Sequence, residues 1–247
     1  AAARHQGCDR AVGPEGGLLL DVCREAGVNT DYVRTVDVAS GHTVIQVDGG
    51  GQNCILLYGG ANQRVDEAYA DEVLSHFSAG DYVILQNEIS CLPHIVDAAA
   101  ARGMRVVLNP SPYNEALEAV DMSKVSLFLL NEVEGAQVAG GSEDPDEVLA
   151  RLGEKCPDAA VVLTLGSEGS RYQRGDERYA QGIYHVDAKD TTAAGDTFTG
   201  YFVWAVSEGR PVPEALDIAA KASAIAVSRA GAVPSIPTID EVMAAKL

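Results

Sequence analysis

The hydrophobic positions from about residue 80 onward fall into short continuous runs that are separated by longer periodic stretches. Short apolar runs are typical of buried strands, and they occupy residues 82–85, 105–108, 126–130 and 161–165. The periodic stretches 91–102 and 145–156 predict helices, with Gly103 ending the first and Pro145 suited to the first turn of the second. Because strands that alternate with helices form βαβ units, the pattern predicts an α/β fold with a mostly parallel central sheet sandwiched by helices.

Two stretches depart from this alternation. Residues 43–58 are β-like on both sides of the turn Asp48-Gly-Gly-Gly51, and glycines supply the positive φ angles of a hairpin turn. Residues 171–186 predict short strands around the polar turn 174–177. Since the first hairpin precedes the alternating part, we interpret a region at about residues 40–60 as a small appended sheet or a β lid.

The C-terminal third predicts helices. Phe198, Tyr201, Phe202 and Ala205 recur at i, i+3, i+4 and i+7, which places them on one apolar face. A second helical face consists of residues suited to close packing: Leu216, Ala219, Ala220, Ser223, Ala224 and Val227.

Composition and charge narrow the function classes. The 247 residues are 47% hydrophobic and 22% charged, which excludes a disordered chain, and we predict a single α/β domain over residues 1–247. No apolar run approaches about 18 residues, so no transmembrane helix is predicted. With 18 Lys and Arg against 36 Asp and Glu, the net charge is −18, which argues against a nucleic-acid or membrane partner.

The five cysteines are odd in number and form no CxxC pair, which indicates reduced thiols and a cytoplasmic protein.

The segment 190–200, DTTAAGDTFTG, carries the strongest chemical signal. It leads into the predicted helix, whose first turn offers unpaired backbone N–H groups and a positive dipole end. The small residues Ala193, Ala194 and Gly195 let a phosphate approach these N–H groups without obstruction. Asp196 follows in the first turn, so a base and an anion cradle meet at one point, as phosphoryl transfer requires. The alternative is an ordinary helix start, with an acid in its first turn and small residues for packing.

This segment resembles the C-terminal signature of the PfkB-type carbohydrate kinases, the ribokinase family. Further blocks resemble the same family in the same order: Gly60-Ala-Asn62, Leu85-Gln-Asn-Glu88, Val107-Leu-Asn-Pro-Ser-Pro112, Asn131-Glu-Val-Glu134, Thr164-Leu-Gly-Ser-Glu-Gly169 and Ala226-Val-Ser-Arg-Ala-Gly-Ala-Val-Pro-Ser-Ile-Pro237. Each added motif lowers the risk of coincidence, and the blocks cover nearly all of the chain. The resemblance implies a ribokinase-like α/β fold.

The resemblance also assigns the phosphate-transfer residues. Asp196 is the implied catalytic base, which takes the proton of a sugar hydroxyl as that oxygen attacks the γ-phosphorus of ATP. The N–H groups of Ala193, Ala194 and Gly195 are the implied anion hole. The implied nucleotide-binding residues are Asn131, Thr164, Leu165, Gly166, Ser167, Glu168, Gly169, Gly195 and Asp196. An alternative for residues 164–169 is a tight turn without a ligand.

Sugar and metal sites follow from the same resemblance. Glu88 matches the glutamate that hydrogen-bonds the sugar beside Asp196. Glu134 matches a glutamate that organises Mg²⁺ through water, although taken alone it would be a solvated helix charge. K⁺, a monovalent activator, is expected between two loops, with ligands that are mostly backbone carbonyls: Asp190, Thr192, Ala226, Arg229, Gly231 and Ser235. The alternative for residues 226–237 is a helix C-terminus ended by Gly231.

The chain departs from the family at its start. The family begins with a strand that carries a sugar-binding Asp, followed by a Gly-Gly-Lys-Gly-Ala-Asn stretch, and neither is found here. Residues 1–4 resemble the middle of the following helix, and residues 8–11 stand in place of a full strand. We therefore expect the N-terminal strand and part of the lid to be missing, either because residues are left out of the sequence or by a real truncation.

The leading expectation is an ATP-dependent sugar kinase that converts D-ribose to D-ribose 5-phosphate, requires Mg²⁺ and is activated by K⁺. We expect it to form a homodimer through the β lid, as ribokinases do. Two alternatives stay open: a PfkB-type kinase for another sugar or nucleoside, and a non-catalytic protein that binds a sugar or a nucleotide. Retention of Asp196, the anion-hole residues and Glu134 argues against the second, and the ordered motifs argue against an α/β domain with no such site.

Overall fold

The computed structural model describes residues 11–47 and 53–247, which form two compact units. Unit 1 lies within residues 11–106 and 110–124, and unit 2 comprises residues 107–109 and 125–247. The expectations for residues 1–10 and for the turn 48–51 fall outside the described residues. The single domain predicted over residues 1–247 stays a prediction.

Unit 1 contains short paired strands, helices, the strand β5 and the first residues of β6. Its elements are β1 (Ala11–Val12), α1 (Gly17–Glu25), β2 (Arg34–Thr35), β3 (His42–Val47), β4 (Asn53–Tyr58), α2 (Glu67–Leu74), β5 (Tyr82–Gln86), α3 (Leu92–Ala101) and the start of β6 (Arg105–Asn109). β1 and β2 pair in parallel, and β3 and β4 pair antiparallel from His42 opposite Tyr58 to Val47 opposite Asn53. The two predicted hairpin strands therefore pair with each other.

A side-chain cap marks the start of α2, and buried apolar residues form one face of α3. Asp66 caps α2, because its carboxylate accepts the N–H of Tyr69 at 2.8 Å. α3 buries Ile95, Val96 and Ala99 among other residues, and both of its ends lie within one residue of the prediction.

Unit 2 is built on a mixed sheet. Its elements are the end of β6, β7 (Leu127–Asn131), α4 (Glu132–Val138), α5 (Pro145–Lys155), β8 (Ala160–Thr164), β9 (Ser170–Arg174), β10 (Glu177–Gln181), α6 (Ala194–Ser207), α7 (Val212–Val227) and α8 (Ile239–Ala244). The strand order in this unit is β10-β9-β8-β7-β6. The pairs β6–β7 and β7–β8 are parallel, and the pairs β8–β9 and β9–β10 are antiparallel.

The antiparallel edge of this sheet follows from its short connections, since a parallel crossover needs about a dozen residues or more. Only the turn Gly166–Glu168 and its flanking residues separate β8 from β9. The prediction of strand over residues 182–186 is wrong, because β10 ends at Gln181 opposite Ser170, the first residue of β9.

Strand and helix faces supply the core of unit 2. Every residue from Leu127 to Leu130 and from Ala160 to Leu163 is buried, as expected for strands covered on both faces. The rings of Phe198 and Phe202 on α6 stack at 6.4 Å between centroids. α7 buries a row of alanines that permits close helix packing: Ala215, Ala219, Ala222 and Ala226. In residues 11–47 and 53–247, no helix has both the length and the apolar character needed to span a membrane.

Candidate active site

The start of α6 is where the sequence predicted an anion hole. The helix begins at Ala194 after the N-cap residue Ala193, and no side chain caps it. The Ala194 N–H donates to the carbonyl of Thr191 at 3.1 Å, and the hydroxyl of Ser223 on α7 donates to the Ala194 carbonyl at 3.1 Å. One of the three predicted anion-hole N–H groups is thus already hydrogen-bonded, while α7 supports the start of the helix.

The approach to this helix start is open. A Cβ added at Gly195 would meet nothing within 4 Å, and Gly195 and Asp196 are both exposed. Asp196 is the acidic residue of the first turn, where the helix dipole stabilises negative charge. An incoming anion and the Asp196 carboxylate can therefore share this end of α6.

The structure brings together the two loops predicted to hold K⁺. The N–H of Gly231 donates to the Asp190 carboxylate at 2.9 Å across 41 residues of sequence. The same carboxylate accepts the hydroxyl of Thr192 at 2.6 Å and its N–H at 3.0 Å. The Thr192 hydroxyl, followed by the N–H groups of Thr192 and Gly231, lowers the pKa of Asp190. The N–H groups of Lys189 and Asp190 both donate to the carbonyl of Val227, at 2.7 and 3.2 Å.

The remaining predicted K⁺ ligands have partners of their own. The Ala226 carbonyl accepts the N–H of Arg229 at 3.0 Å. The Arg229 guanidinium donates to Glu241 at 2.6 Å and, as the largest cause, lowers the pKa of Glu241 to about 2. Ser235 is 1% exposed, and its hydroxyl donates to the Ala232 carbonyl at 2.7 Å. Carbonyl and hydroxyl oxygens are the donor types that suit a large, weakly hydrated cation, so the kinds of oxygen on these two adjoining loops fit K⁺, whose binding stays a prediction.

The N-x-x-E motif forms a capping box at the start of α4. Asn131 Oδ1 accepts the N–H of Glu134 at 2.8 Å, and Glu134 Oε2 accepts the N–H of Asn131 at 3.0 Å. Glu134 is 8% exposed, so the alternative of a solvated helix charge is wrong. The spacing of a capping residue and Glu at N3 was the signal for this role, although no cap was predicted here.

The contacts of Glu134 indicate how this residue could take part in binding Mg²⁺. No group of three or more His, Cys, Asp or Glu side chains in the described part of the chain is placed to hold a metal ion. One oxygen of Glu134 is already committed to the capping box. Because Mg²⁺ keeps several waters when few carboxylates bind it, the residues fit an indirect, water-mediated contact.

The predicted nucleotide loop lies at the end of β8. Thr164 is paired in register with Asn131 of β7, so these two predicted ligands sit side by side where two parallel strands end. Leu165 and Gly169 close the turn, with an N–H to carbonyl distance of 2.8 Å. Ser167 and its neighbours Gly166 and Glu168 are exposed at the tip of the turn.

Glu88, the predicted sugar ligand, belongs to unit 1. It follows β5, its side chain is half-buried, and its backbone carbonyl accepts Gln63 Nε2 at 2.8 Å. No salt-bridge partner for the Glu88 carboxylate is found among residues 11–47 and 53–247. Its neighbour Asn87 is buried and donates to the Pro112 carbonyl at 2.7 Å, a structural role that was not predicted from the sequence.

A shallow depression beside the Asp190 loop was not predicted either. It encloses about 610 Å³ and is lined by His185, Val186, Asp187, Lys189 and Ser228. Four of these residues precede Asp190 in a stretch without regular secondary structure, where no periodic pattern marks a site.

Comparison with known proteins decides the family. The profile of the pfkB family of carbohydrate kinases matches residues 12–239. The chain belongs to the pfkB family. It is accordingly a sugar kinase, and the family membership and enzyme class predicted from the sequence are confirmed.

Similar proteins agree with this assignment. A ribokinase of Schizosaccharomyces pombe is 35% identical over 249 residues, covering 96% of this pfkB kinase and 77% of the relative. The crystal structure of a ribokinase from Thermotoga maritima has a TM-score of 0.83 and 29% identity, covering 95% of this chain and 78% of that one. A structure of Arabidopsis thaliana ribokinase complexed with ribose and ATP has a TM-score of 0.80 and 28% identity, covering 96% and 80%. The predicted ribokinase-like α/β fold is confirmed.

Proposed function

We propose that this pfkB kinase transfers the γ-phosphoryl group of ATP to the 5-hydroxyl of D-ribose, giving D-ribose 5-phosphate and ADP. The observation that carries the proposal is the start of α6, which is uncapped, open at Gly195 and followed by Asp196 in the first turn. The likeness to a ribokinase solved with ribose and ATP supports both substrates.

Asp196 is the proposed general base. Its carboxylate accepts the proton of the sugar hydroxyl as that oxygen forms a bond to the γ-phosphorus, and the bond from phosphorus to the bridging oxygen of ADP breaks. The N–H groups of Ala193, Ala194 and Gly195 are proposed to stabilise the charge that spreads over the phosphoryl oxygens. For Ala194 this requires its N–H to leave, or to share, the carbonyl of Thr191.

Other residues are proposed to position the substrates. Glu88, whose carboxylate has no described salt-bridge partner, would accept hydrogen bonds from the sugar hydroxyls. The exposed turn at the end of β8 would contact the nucleotide through residues 164–169, with Asn131 beside it. Mg²⁺ would neutralise phosphate charge, with Glu134 holding its water shell.

K⁺ is the proposed activator. The hydrogen bond between Gly231 and Asp190 shows that the two loops already adjoin in the protein. A cation held by their oxygen atoms would favour the arrangement in which the start of α6 is ready for phosphate, which is a shift in population. The proposed ligands stay those assigned from the sequence: Asp190, Thr192, Ala226, Arg229, Gly231 and Ser235.

The hairpin β3–β4 is proposed to be a lid and a homodimer contact. Leu56, Leu57 and Tyr58 expose half or more of their side chains, and an exposed apolar ribbon needs a partner surface. A cytoplasmic location is proposed with it, supported by Cys23 and Cys91, which form no disulfide within the described part of the chain.

One assay tests the proposed function. ADP release by the purified protein is measured across ribose, 2-deoxyribose, fructose and a set of nucleosides, at equal ATP and Mg²⁺. The proposal predicts the highest kcat/KM for D-ribose and phosphate at its 5-position. A higher kcat/KM for another sugar or for a nucleoside would show that this compound, and not D-ribose, is the substrate. Binding of ATP or sugar without turnover would indicate the non-catalytic alternative.

A further inference from the structure

Residues 182–193, here called the α6 approach segment, connect β10 to α6 without regular secondary structure. The segment ends at Ala193 and the uncapped start of α6, so its placement determines where the first N–H groups of the helix lie. An irregular stretch has many accessible backbone conformations, and specific contacts are needed to hold it in one of them.

The C-terminal part of the segment is held by backbone contacts. Lys189 and Asp190 donate their N–H groups to the Val227 carbonyl at the end of α7, at 2.7 and 3.2 Å. Ser223 of the same helix reaches Ala194 at 3.1 Å. α7 is therefore the support against which the end of the segment and the start of α6 are placed.

The N-terminal part of the segment is held by side chains. The Tyr184 hydroxyl donates to Asp217 Oδ1 on α7, and Lys221 Nζ donates to Asp217 Oδ2 at 2.8 Å. Lys221 Nζ also lies 5.6 Å from the centroid of the Tyr184 ring. Asp217 and Lys221 are four residues apart on one face of the helix, so each member of this cluster contacts the other two.

The cluster is sheltered but not sealed. The side chains of Asp217 and Lys221 are 32% and 27% exposed, so their charge-assisted contacts are screened less than those of an open surface pair. The hydrogen bond to Asp217 is the largest cause that raises the pKa of Tyr184, and the same is true for Lys221. Both donors thus keep their protons at neutral pH, and the contacts persist there.

We propose that Tyr184 is a positioning residue of this kinase: its hydrogen bond to Asp217 fixes the α6 approach segment on α7 and so holds the start of α6 in place for the phosphates of the nucleotide. Tyr184 acts through the backbone that follows it and needs no contact with a substrate. The effect on the nucleotide rests on the proposed function, whereas the fixing of the segment does not.

Tyr184→Phe is the test variant, because it removes one hydroxyl and leaves the ring and the Asp217–Lys221 pair. We expect the KM for ATP to rise about three- to tenfold, the change that one lost hydrogen bond produces, with the KM for the sugar within about twofold. Tyr179→Phe on β10 is the matched control, since it makes the same change on an exposed tyrosine outside the segment.

The pairing with Asp217 is tested by a double-mutant cycle. Asp217→Ala is expected to raise the KM for ATP as Tyr184→Phe does, and the double variant is expected to add little to either. Asp217→Asn, whose amide oxygen still accepts the tyrosine hydroxyl, should recover most of the loss. Fully additive effects on the KM for ATP would contradict a shared role.

Hydrogen–deuterium exchange of the nucleotide-free protein tests the fixing of the segment without any turnover. The amides of residues 185–193 should exchange faster in Tyr184→Phe than in Tyr179→Phe. Equal exchange in the two variants would overturn the inference. It would also be overturned if Tyr184→Phe exchanged faster but raised the KM for ATP and the KM for the sugar equally. A wild-type protein without turnover would contradict the proposed function, and the exchange comparison would then decide the inference by itself.

Discussion

At the scale of single residues, two glycines of the predicted site are present for different physical reasons. Gly169 has a φ of +89°, and a Cβ there would lie 2.1 Å from the Gln181 carbonyl oxygen. Gly195 has open space where its Cβ would be. The turn after β8 therefore requires glycine for folding, whereas the fold does not require it at the start of α6.

Alanine substitutions should separate these two requirements. Gly169→Ala places a side chain in a left-handed conformation and against a carbonyl, so we expect a loss of about 1–3 kcal/mol in the free energy of unfolding. Gly195→Ala should leave that free energy unchanged or slightly higher, because alanine is the better helix former, and should lower kcat/KM by obstructing the phosphate. Urea denaturation and the ADP-release assay measure the two effects. Unaltered turnover in Gly195→Ala would contradict a phosphate at this position.

Residue roles that depend on distant partners could not be predicted from the sequence. Asn87 is buried against Pro112 and Asn114, and Tyr184 meets Asp217 across 33 positions. Neither pairing leaves a periodic or local spacing signal. Asp190 was predicted to be a K⁺ ligand, but its carboxylate also joins the two loops directly by accepting the N–H of Gly231. No local sequence pattern predicts this contact.

At the scale of elements, the start of α4 combines a cap with a candidate magnesium contact. Asn131 and Glu134 each accept the backbone N–H of the other. A second capping box, of Thr238 and Glu241 at the start of α8, has the same design and carries no predicted metal role. Comparing the capping boxes of α4 and α8 therefore separates the effect of helix capping from a role in binding Mg²⁺.

Glu134→Gln should keep the cap, because Gln also serves at the third position of a capping box, and should raise the Mg²⁺ concentration needed for half-maximal activity. Asn131→Ala should lower the free energy of unfolding by about 0.5–2 kcal/mol. Thr238→Ala is the control, with a comparable stability loss and no change in Mg²⁺ dependence. Magnesium titration of activity measures the Mg²⁺ dependence, and urea denaturation measures the free energy of unfolding. An unchanged Mg²⁺ requirement in Glu134→Gln would contradict the magnesium role of Glu134 and leave it only a helix-capping role.

The elements predicted best are those whose apolar runs are buried on both faces. β7 and β8 fall within one residue of the prediction at each end because their runs of buried side chains are continuous. α1 was not predicted, although it contains the consecutive leucines Leu18, Leu19 and Leu20, and no residue of it is buried. The two-residue strands β1 and β2 depend on pairing with each other, which a local pattern does not encode.

At the scale of the whole molecule, the β3–β4 hairpin presents an apolar face. Val44 and Leu56 lie opposite each other in register and Tyr58 is on the same side, and the three side chains are 50%, 56% and 50% exposed. A homodimer through this face is the proposed way of covering them.

Leu56→Lys should convert the proposed dimer to a monomer, because a buried lysine without a partner charge is costly at an interface. Leu18→Lys on α1 is the control, since Leu18 is 74% exposed and lies outside the hairpin. Light scattering at micromolar concentration measures the mass of each variant. A wild-type monomer would contradict the proposed lid interface.

Potassium should raise the activity of the whole enzyme. Initial rates are compared in potassium, sodium and tetramethylammonium buffers of equal ionic strength, which separates a bound-ion effect from screening. We expect the order potassium, then sodium, then tetramethylammonium, because the carbonyl oxygens suit the larger and less hydrated of the two alkali ions. Equal rates in all three buffers would contradict the proposed K⁺ site, and residues 226–237 would then be only a helix C-terminus ended by Gly231.

The most direct test of a phosphoryl-transfer site at the start of α6 is the turnover of Asp196→Asn. Asp196 is exposed in the first turn, so the variant should fold and bind ATP as the wild type does, while kcat falls by about 10²–10⁴-fold, the contribution expected of a general base. Asp240→Asn, the same change at an exposed first-turn aspartate of α8, should keep wild-type turnover. Asp196→Asn turnover within about threefold of wild type would contradict the assignment of the base and, with it, the proposed site.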